Sequence, residues 1–461
     1  MAKLWEKDWQ LDALLEAFTV GDDWQMDARL VEADCVASMA HAAMLASVGL
    51  LDRGELEALN RELRAIADDA ARGSFSIAPS DEDCHTAIEN RLVAALGNAG
   101  KKVHTGRSRN DQVLAALRLW TRDYLLAFED ACLALADRLL DFAERYANVP
   151  MAGRTHLQPA MPSSVGLWSA AHAEELVDEL VLADAAFHLA DACPLGSAAS
   201  YGVPLPLDRE KVADLLGFAR VHNNVLSANN SRGRVEGVVL SAVEQVCLTL
   251  ARMAEDLILY SMPEFGWFTL PRELCSGSSI MPQKRNPDGL ELIRAKAAVV
   301  GGDLETVKAI TRGLPSGYNR DVQLTKAPFF RGCETGIACV RIMDLTISKL
   351  EVNADRLSAG FTPEVFATDR VLELVRQGVP FRDAYREVGA NLGQLAAMDP
   401  VAALKRRTST GAPGNLRLDV PRAAAETASA SVKARREHID SRIKALAGRE
   451  VSFFRDPLGT R

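Results

Sequence analysis

DQVLAALRLWTRDYLLAFEDACLALADRLLDFAERYANV, residues 111–149, decides the fold class. It contains neither glycine nor proline, and Pro150 is the first breaker after it. As a single helix its 39 residues reach about 58 Å at 1.5 Å per residue. Leu117, Trp120, Tyr124, Phe128, Cys132, Leu135, Leu139 and Phe142 recur at steps of three and four, which predicts one apolar stripe. Arg118, Arg122, Asp130, Asp137 and Arg145 fall on other faces. Four further stretches favour long helices: 167–193, 238–262, 288–313 and 322–358. The last two carry internal glycines, and the last has Pro328 near its start. Helices of this length need long partners to cover their apolar faces. The simplest solution is a mostly α fold whose long bundle is completed by other subunits; one elongated monomeric bundle is the alternative. Composition shifts divide the chain into 1–108, 109–355 and 356–461, the outer parts made of shorter helical pieces. Strands are expected to be few, because no β-branched alternation is sustained.

Composition narrows the function class. The 461 residues carry 53 Lys+Arg and 62 Asp+Glu, a net charge of −9, with 48% apolar and 25% charged residues. That excludes a disordered or collagen-like chain. It argues against a general nucleic-acid or membrane-surface binder, which needs a basic face. The eight cysteines form no CxxC pair and read as free thiols of a reducing compartment. The eight histidines form no HExxH and no cluster with cysteine, so no metal is expected. The first ten residues, MAKLWEKDWQ, lack the apolar core of a signal peptide, which points to the cytoplasm.

Three segments look like chemistry. KKVHTGRSRNDQ (101–112) sets Arg107, Ser108, Arg109 and Asn110 directly before the longest helix. Guanidinium, amide and hydroxyl donors at a helix start suit a carboxylate or phosphate, although a solvated loop with a Ser or Asn cap fits as well. GRTHLQPAMPS (153–163) places His156 between Thr155 and Gln158 in a proline-interrupted loop, as an acid–base group or equally as a structural histidine. SGSSIMPQKRNPDGLE (276–291) combines a Gly/Ser loop with Lys284, with Asn286 reading as a helix N-cap and Pro287 as the first helical residue. Ser80 with Asp83 fits a helix capping box, and His85 alone reads as structural.

These strings, in this order, resemble the argininosuccinate lyases of the fumarase/aspartase superfamily. GSSIMPQKRNP (277–287) is similar to the superfamily signature; HTGRSRNDQ (104–112) and THLQ (155–158) are similar to the argininosuccinate lyase strings. The likeness continues through CPLGSAASYG (193–202), ELIRAK (291–296), LPSGYNRDVQLTK (314–326) and GVPFRDAY (378–385). It implies a three-domain, mostly α fold and a homotetramer with a twenty-helix core. It also implies active sites shared among three subunits and a cofactor-free anti β-elimination of argininosuccinate to arginine and fumarate. By the resemblance Ser278 is the base, acting as an alkoxide in a positive, donor-rich setting supplied by Lys284, Asn286 and the loop amides; His156 stands on the leaving-group side and Glu291 orients and charges it. Ser108, Arg109, Asn110 and Thr155 match carboxylate-binding positions; Tyr318, Gln323 and Lys326 match the arginine end; His85 matches a position near the site.

The chain departs from the family pattern in three places. WEKDW (5–9) replaces a WGGRF-type string, Arg154 replaces a tyrosine before THLQ, and Asn-Ser-Arg-Gly (230–233) replaces Ser-Asp-Arg-Asp. Asp22 or Asp23 stands where the family has a serine. Two other readings compete: a superfamily lyase acting on a different succinyl-amine, and a structural, crystallin-like relative without activity. The intact Ser/His/Lys/Asn set disfavours the second.

Overall fold

The computed structural model describes residues 12–459, so the departure at 5–9 lies outside the described residues. We number the helices of eight residues or more. In the N-terminal part these are α1 (Ala13–Val20), α2 (Val31–Ser47), α3 (Arg53–Ala71) and α4 (Cys84–Leu96). The long bundle is α5 (Arg109–Arg145), α6 (Val165–Ala190), α7 (Arg234–Ser261), α8 (Asp288–Thr311) and α9 (Lys326–Lys349). The C-terminal part contributes α10 (Ala367–Arg376), α11 (Phe381–Ala390) and α12 (Asp419–Ala447).

Local chemistry sets where α5 begins and ends. Ser108 caps it: its Oγ accepts from the Asn110 N–H at 3.3 Å, while Asp111 accepts from the Ser108 N–H at 2.9 Å. The helix stops at Arg145, four residues before the sequence forces it to, because residues 146–149 turn to feed a β-hairpin. That hairpin, β1 (Pro150–Thr155) and β2 (Gln158–Ser164), replaces the loop expected there. Each of its strands pairs only with the other, so Pro159 and Pro162 remove no bond to a third strand. The predicted long stretch 322–358 is also corrected. Residues Arg320–Thr325 form a 3₁₀ turn, α9 starts at Lys326, and it ends at Lys349 before a short strand and a separate helix.

The bundle has two ends, and their contents matter below. We call the end where α5 starts proximal and the other distal. An Arg122–Asp191 ion pair at 2.8 Å pins the end of α6 beside the first half of α5. Trp168 donates to Asp256 at 2.9 Å, setting the start of α6 beside the end of α7. Trp120 packs on Phe329 and Phe330, and Arg138 pairs with Asp344, so α9 runs parallel to α5. α8 packs between α7 and α9 and runs back toward the proximal end. All eight residues of the predicted stripe on α5 are buried, with Trp120, Tyr124 and Phe128 among the largest fully buried side chains.

α12 returns to the bundle. Arg435 and Arg436 pair with Glu129 and Asp130 on α5, and Phe453 and Phe454 join the main core. α10 and α11 instead share a small apolar cluster of Val371, Leu374, Ala384 and Val388. Among the described residues one helix, α7, is long and apolar enough to cross a membrane by length and composition. Most of its apolar window is buried, as a core helix requires.

Candidate active site

At the proximal end a cleft of about 150 Å³ opens between the starts of α4, α5 and α9. His85, Arg109, Asn110, Tyr318, Gln323 and Lys326 line it, so the structure gathers six residues from three distant segments. Asp83, not Ser80, caps α4 by accepting from the Thr86 N–H at 2.8 Å. That capping aspartate also binds Arg109 Nε at 2.7 Å, while Glu82, at φ +68°, binds the outer guanidinium nitrogens at 3.1–3.2 Å. Gln323 is fixed by donating to Thr19 O at 3.1 Å. Ser108, half-buried beside Arg109, spends its hydroxyl on capping α5.

The floor of the cleft is a buried charge network. Lys326 is 3% exposed and meets Asp27 at 2.5 Å and Asp23 at 3.0 Å. Burial opposes its charge, but the two carboxylates hold its pKa above the usual value. His85 Nδ1 lies 3.2 Å from Asp34. Burial again favours the neutral ring, yet Asp34 and the charges of Asp83 and Asp27 outweigh it and raise the pKa. Burial pushes the Asp83 carboxyl up, and His85 and Arg109 together pull it below its usual value. Asp27, Cys84 and His85 bring ligand-type atoms within 4.8 Å of one another. Asp27 is already engaged by the Lys326 ammonium, and burial keeps the Cys84 thiol protonated, so the donor set suits an internal ion pair better than a cation.

The remaining predicted residues lie at the distal end. Thr155 and His156 occupy the exposed tip of the hairpin. Its two-residue turn is His156–Leu157, both at positive φ (+53° and +61°). Type I′ geometry demands this, and glycine or asparagine would adopt it more readily. Holding two bulky residues there stores local strain, a recurrent feature of functional loops. Arg154, the departure from the family tyrosine, donates to Leu157 O at 2.7 Å and stacks on Phe265 and Trp267. This clasp ties the hairpin to the segment that leads into the serine loop.

In that loop Ser276 and Asn286 pair as an isolated β-bridge. Asn286 is not the helix cap: α8 begins at Asp288 after Pro287. Its amide instead donates to Ser276 Oγ and Gly277 O, both at 3.3 Å, closing the neck of the loop. Ser278 Oγ accepts from the backbone N–H groups of Met281 (3.1 Å) and Ile280 (3.4 Å). Lys284 and Glu291 are exposed, and among the described residues neither has an ion-pair partner.

The two groups cannot meet within one chain. α5 separates Arg109 from the hairpin by 37 residues, about 56 Å, and α8 separates the serine loop from Tyr318 by 24 residues, about 36 Å. Sequence reading left Glu82, Arg232 and Arg320 out of the site, although all three line the cleft. Arg232 and Arg320 sit inside strings already quoted, and their basic character was the available signal.

A family model described as a lyase matches residues 6–302. An argininosuccinate lyase from Sorangium cellulosum (strain So ce56) is 49% identical over 417 residues, 90% of this chain and 97% of that protein. One from Thermotoga neapolitana is 44% identical over 392 residues, 85% and 98% of the two chains. Among solved structures, EDDS lyase in complex with formate matches with a TM-score of 0.80 at 22% identity, covering 94% of each chain. Class II fumarase from Schistosoma mansoni matches at 0.69 and 17% identity, over 84% of this chain and 94% of that one. The structural matches establish a shared fold; the relatives, similar over most of the chain, establish that it belongs to the argininosuccinate lyase family.

Proposed function

We propose that this chain catalyses the reversible anti β-elimination of argininosuccinate to arginine and fumarate, in the cytoplasm and without a cofactor. The observation that carries the reading is the 49% identity to an argininosuccinate lyase across nine-tenths of the chain. Elimination removes a proton from the carbon beside a carboxylate, which builds a second negative charge on that carboxylate. The enzyme must stabilise this dianion more than the ground state. Ser278 is the base. Two backbone N–H donors already point at its Oγ, and hydrogen bonds to the charged form favour an alkoxide. Lys284 brings an unspent positive charge to the same loop, and Asn286 holds the loop's neck. His156 serves the departing guanidino nitrogen, with Glu291 orienting it.

The two-ended bundle supports a homotetramer in which three chains complete each site. One contributes the proximal cleft, a second the hairpin tip with Thr155 and His156, and a third the serine loop. Exposed His156 and Lys284 are then groups waiting for a neighbouring subunit. In the cleft, Ser108, Arg109 and Asn110 meet a carboxylate, Tyr318, Gln323 and Lys326 hold the arginine end, and His85 stands behind them.

The test is fumarate formation from argininosuccinate, followed by ultraviolet absorbance. Wild type should turn over rapidly, and Ser278→Ala should lose about 10²–10⁴-fold in kcat. Near-normal turnover by Ser278→Ala would remove the base assignment. No fumarate from a folded wild type would move the weight to another succinyl-amine.

A further inference from the structure

Arg232 is 7% exposed and lines the proximal cleft. Among the described residues its guanidinium makes no hydrogen bond or ion pair, and Nε is buried without a partner. An arginine held this way is costly, because buried cations are ordinarily paired. The neighbouring residues explain why it stands alone. Ser231 accepts from Arg118 at 2.7 Å, and Asn230 accepts from the Gly317 N–H at 2.8 Å, fixing the turn before Tyr318. Gly233 sits at φ +77°, where an added Cβ would lie 2.2 Å from Thr311 Cγ2. The two acids that flank this arginine in the family string are therefore absent, and the second has no room to return.

An acid appears across the cleft instead. Asp23, at or beside the position of a family serine, lines the same cavity. One of its oxygens is bound by Lys326 at 3.0 Å; among the described residues the other has no hydrogen-bond partner. Arg232 is near enough for its charge to act on Asp23 and Lys326, yet it pairs with neither carboxylate of the network. An open carboxylate oxygen and an open guanidinium thus face one cavity without touching.

We infer that Asp23 and Arg232 form a two-point clamp for an α-amino-acid head group, Asp23 accepting from the α-ammonium and Arg232 donating to the α-carboxylate. A dicarboxylate end would meet like charge at Asp23 and is turned away. The clamp thereby selects the amino-acid end of the substrate for this cleft and leaves the succinyl end to the serine loop. The inference rests on the proposed reaction only for which molecule carries the head group.

The reverse reaction tests it, with fumarate consumed by the full-length enzyme. Three nucleophiles are compared: arginine, agmatine, which lacks the carboxylate, and 5-guanidinopentanoate, which lacks the ammonium. A hydrogen bond to a charged group contributes about 1.5–3 kcal/mol, so wild type should favour arginine over each analogue by about tenfold or more in kcat/KM. Asp23→Asn should abolish the preference over 5-guanidinopentanoate and keep that over agmatine. Arg232→Gln should do the reverse, and Arg232→Lys should restore part of the preference over agmatine. Variants that keep both preferences, or that slow all three nucleophiles equally, would overturn the clamp. If wild type consumes no fumarate with arginine, the proposed reaction fails. Calorimetric binding of the same three molecules then reads the clamp separately, and equal affinities would overturn it.

Discussion

His85 shows how one buried residue becomes a pH-dependent support for the cleft. The ordinary imidazole value is 6.5, and the folded protein holds His85 above it through Asp34, despite burial. A raised folded pKa means that this stabilisation is complete below the unfolded value and is lost as pH rises through the folded value. Nitrogen-detected NMR should therefore find the His85 ring still charged at pH values where an exposed histidine has lost its proton. A ring that titrates below 6.5 would sink the assignment. His41 is the contrasting case: burial and the nearby Arg107 charge lower it to about 3, so it donates from Nε2 to Thr105 O as a neutral ring. Gly233 makes a steric prediction at the same scale. Gly233→Asp, the family residue, brings a Cβ into Thr311 at a backbone angle that favours glycine. Thermal unfolding should report a loss of about 1–3 kcal/mol; an unchanged midpoint would show that Thr311 yields freely.

At the scale of elements, helices were legible and their joints were not. The Gly- and Pro-free run before Pro150 located α5 to within a few residues, because helix length and stripe are local properties. The turn at 146–149 depends on the hairpin beyond it, which a residue count does not contain. The sequence sets the start of α9 early because 322–325 satisfies a helical composition, although the backbone of 320–325 closes as a 3₁₀ turn over Thr19 and Val20. Asn286 looked like a cap because caps and loop clasps use the same amide chemistry; only the fold shows Ser276 ten residues back within its reach. The family strings lead to Lys326 and Gln323, but Arg232 and Glu82 enter the cleft only when five segments converge. Two elements carry separate predictions. Ser108→Ala removes a cap and should cost about 1 kcal/mol of stability, read by thermal unfolding; a rise in KM as well would identify a substrate contact. Arg154→Ala frees the Leu157 carbonyl and the stacking on Phe265 and Trp267. Loosening a hairpin tip that presents His156 should lower kcat more than it alters KM, and unaltered kcat would show that the strained turn holds itself.

At the scale of the whole molecule, the long helices turn sequence distance into spatial separation. Arg109 and His156 are divided by α5, and Ser278 and Lys326 by α8, so no loop rearrangement within one chain brings the proposed base and the proposed binding cleft together. Under the proposed reaction, assembly of several chains is the route to a complete site. Closed symmetry, which most oligomers adopt, lets one chain's distal end meet another's proximal end. This makes a prediction about mixtures. Ser278→Ala disables the distal end, and Lys326→Met disables the cleft; each alone should be nearly inactive. Unfolded together in equal amounts and refolded, they form mixed assemblies. A site then needs an intact serine loop from one chain and an intact cleft from another. Each is present with a chance of one half, so about a quarter of wild-type activity should return. If every site were built within a single chain, each would retain one of the two lesions and no activity would return, even with mixed assemblies verified by mass spectrometry. Recovery near a quarter would place base and cleft on different subunits; its absence would require the bundle to be rebuilt around a site that the lengths of α5 and α8 do not permit.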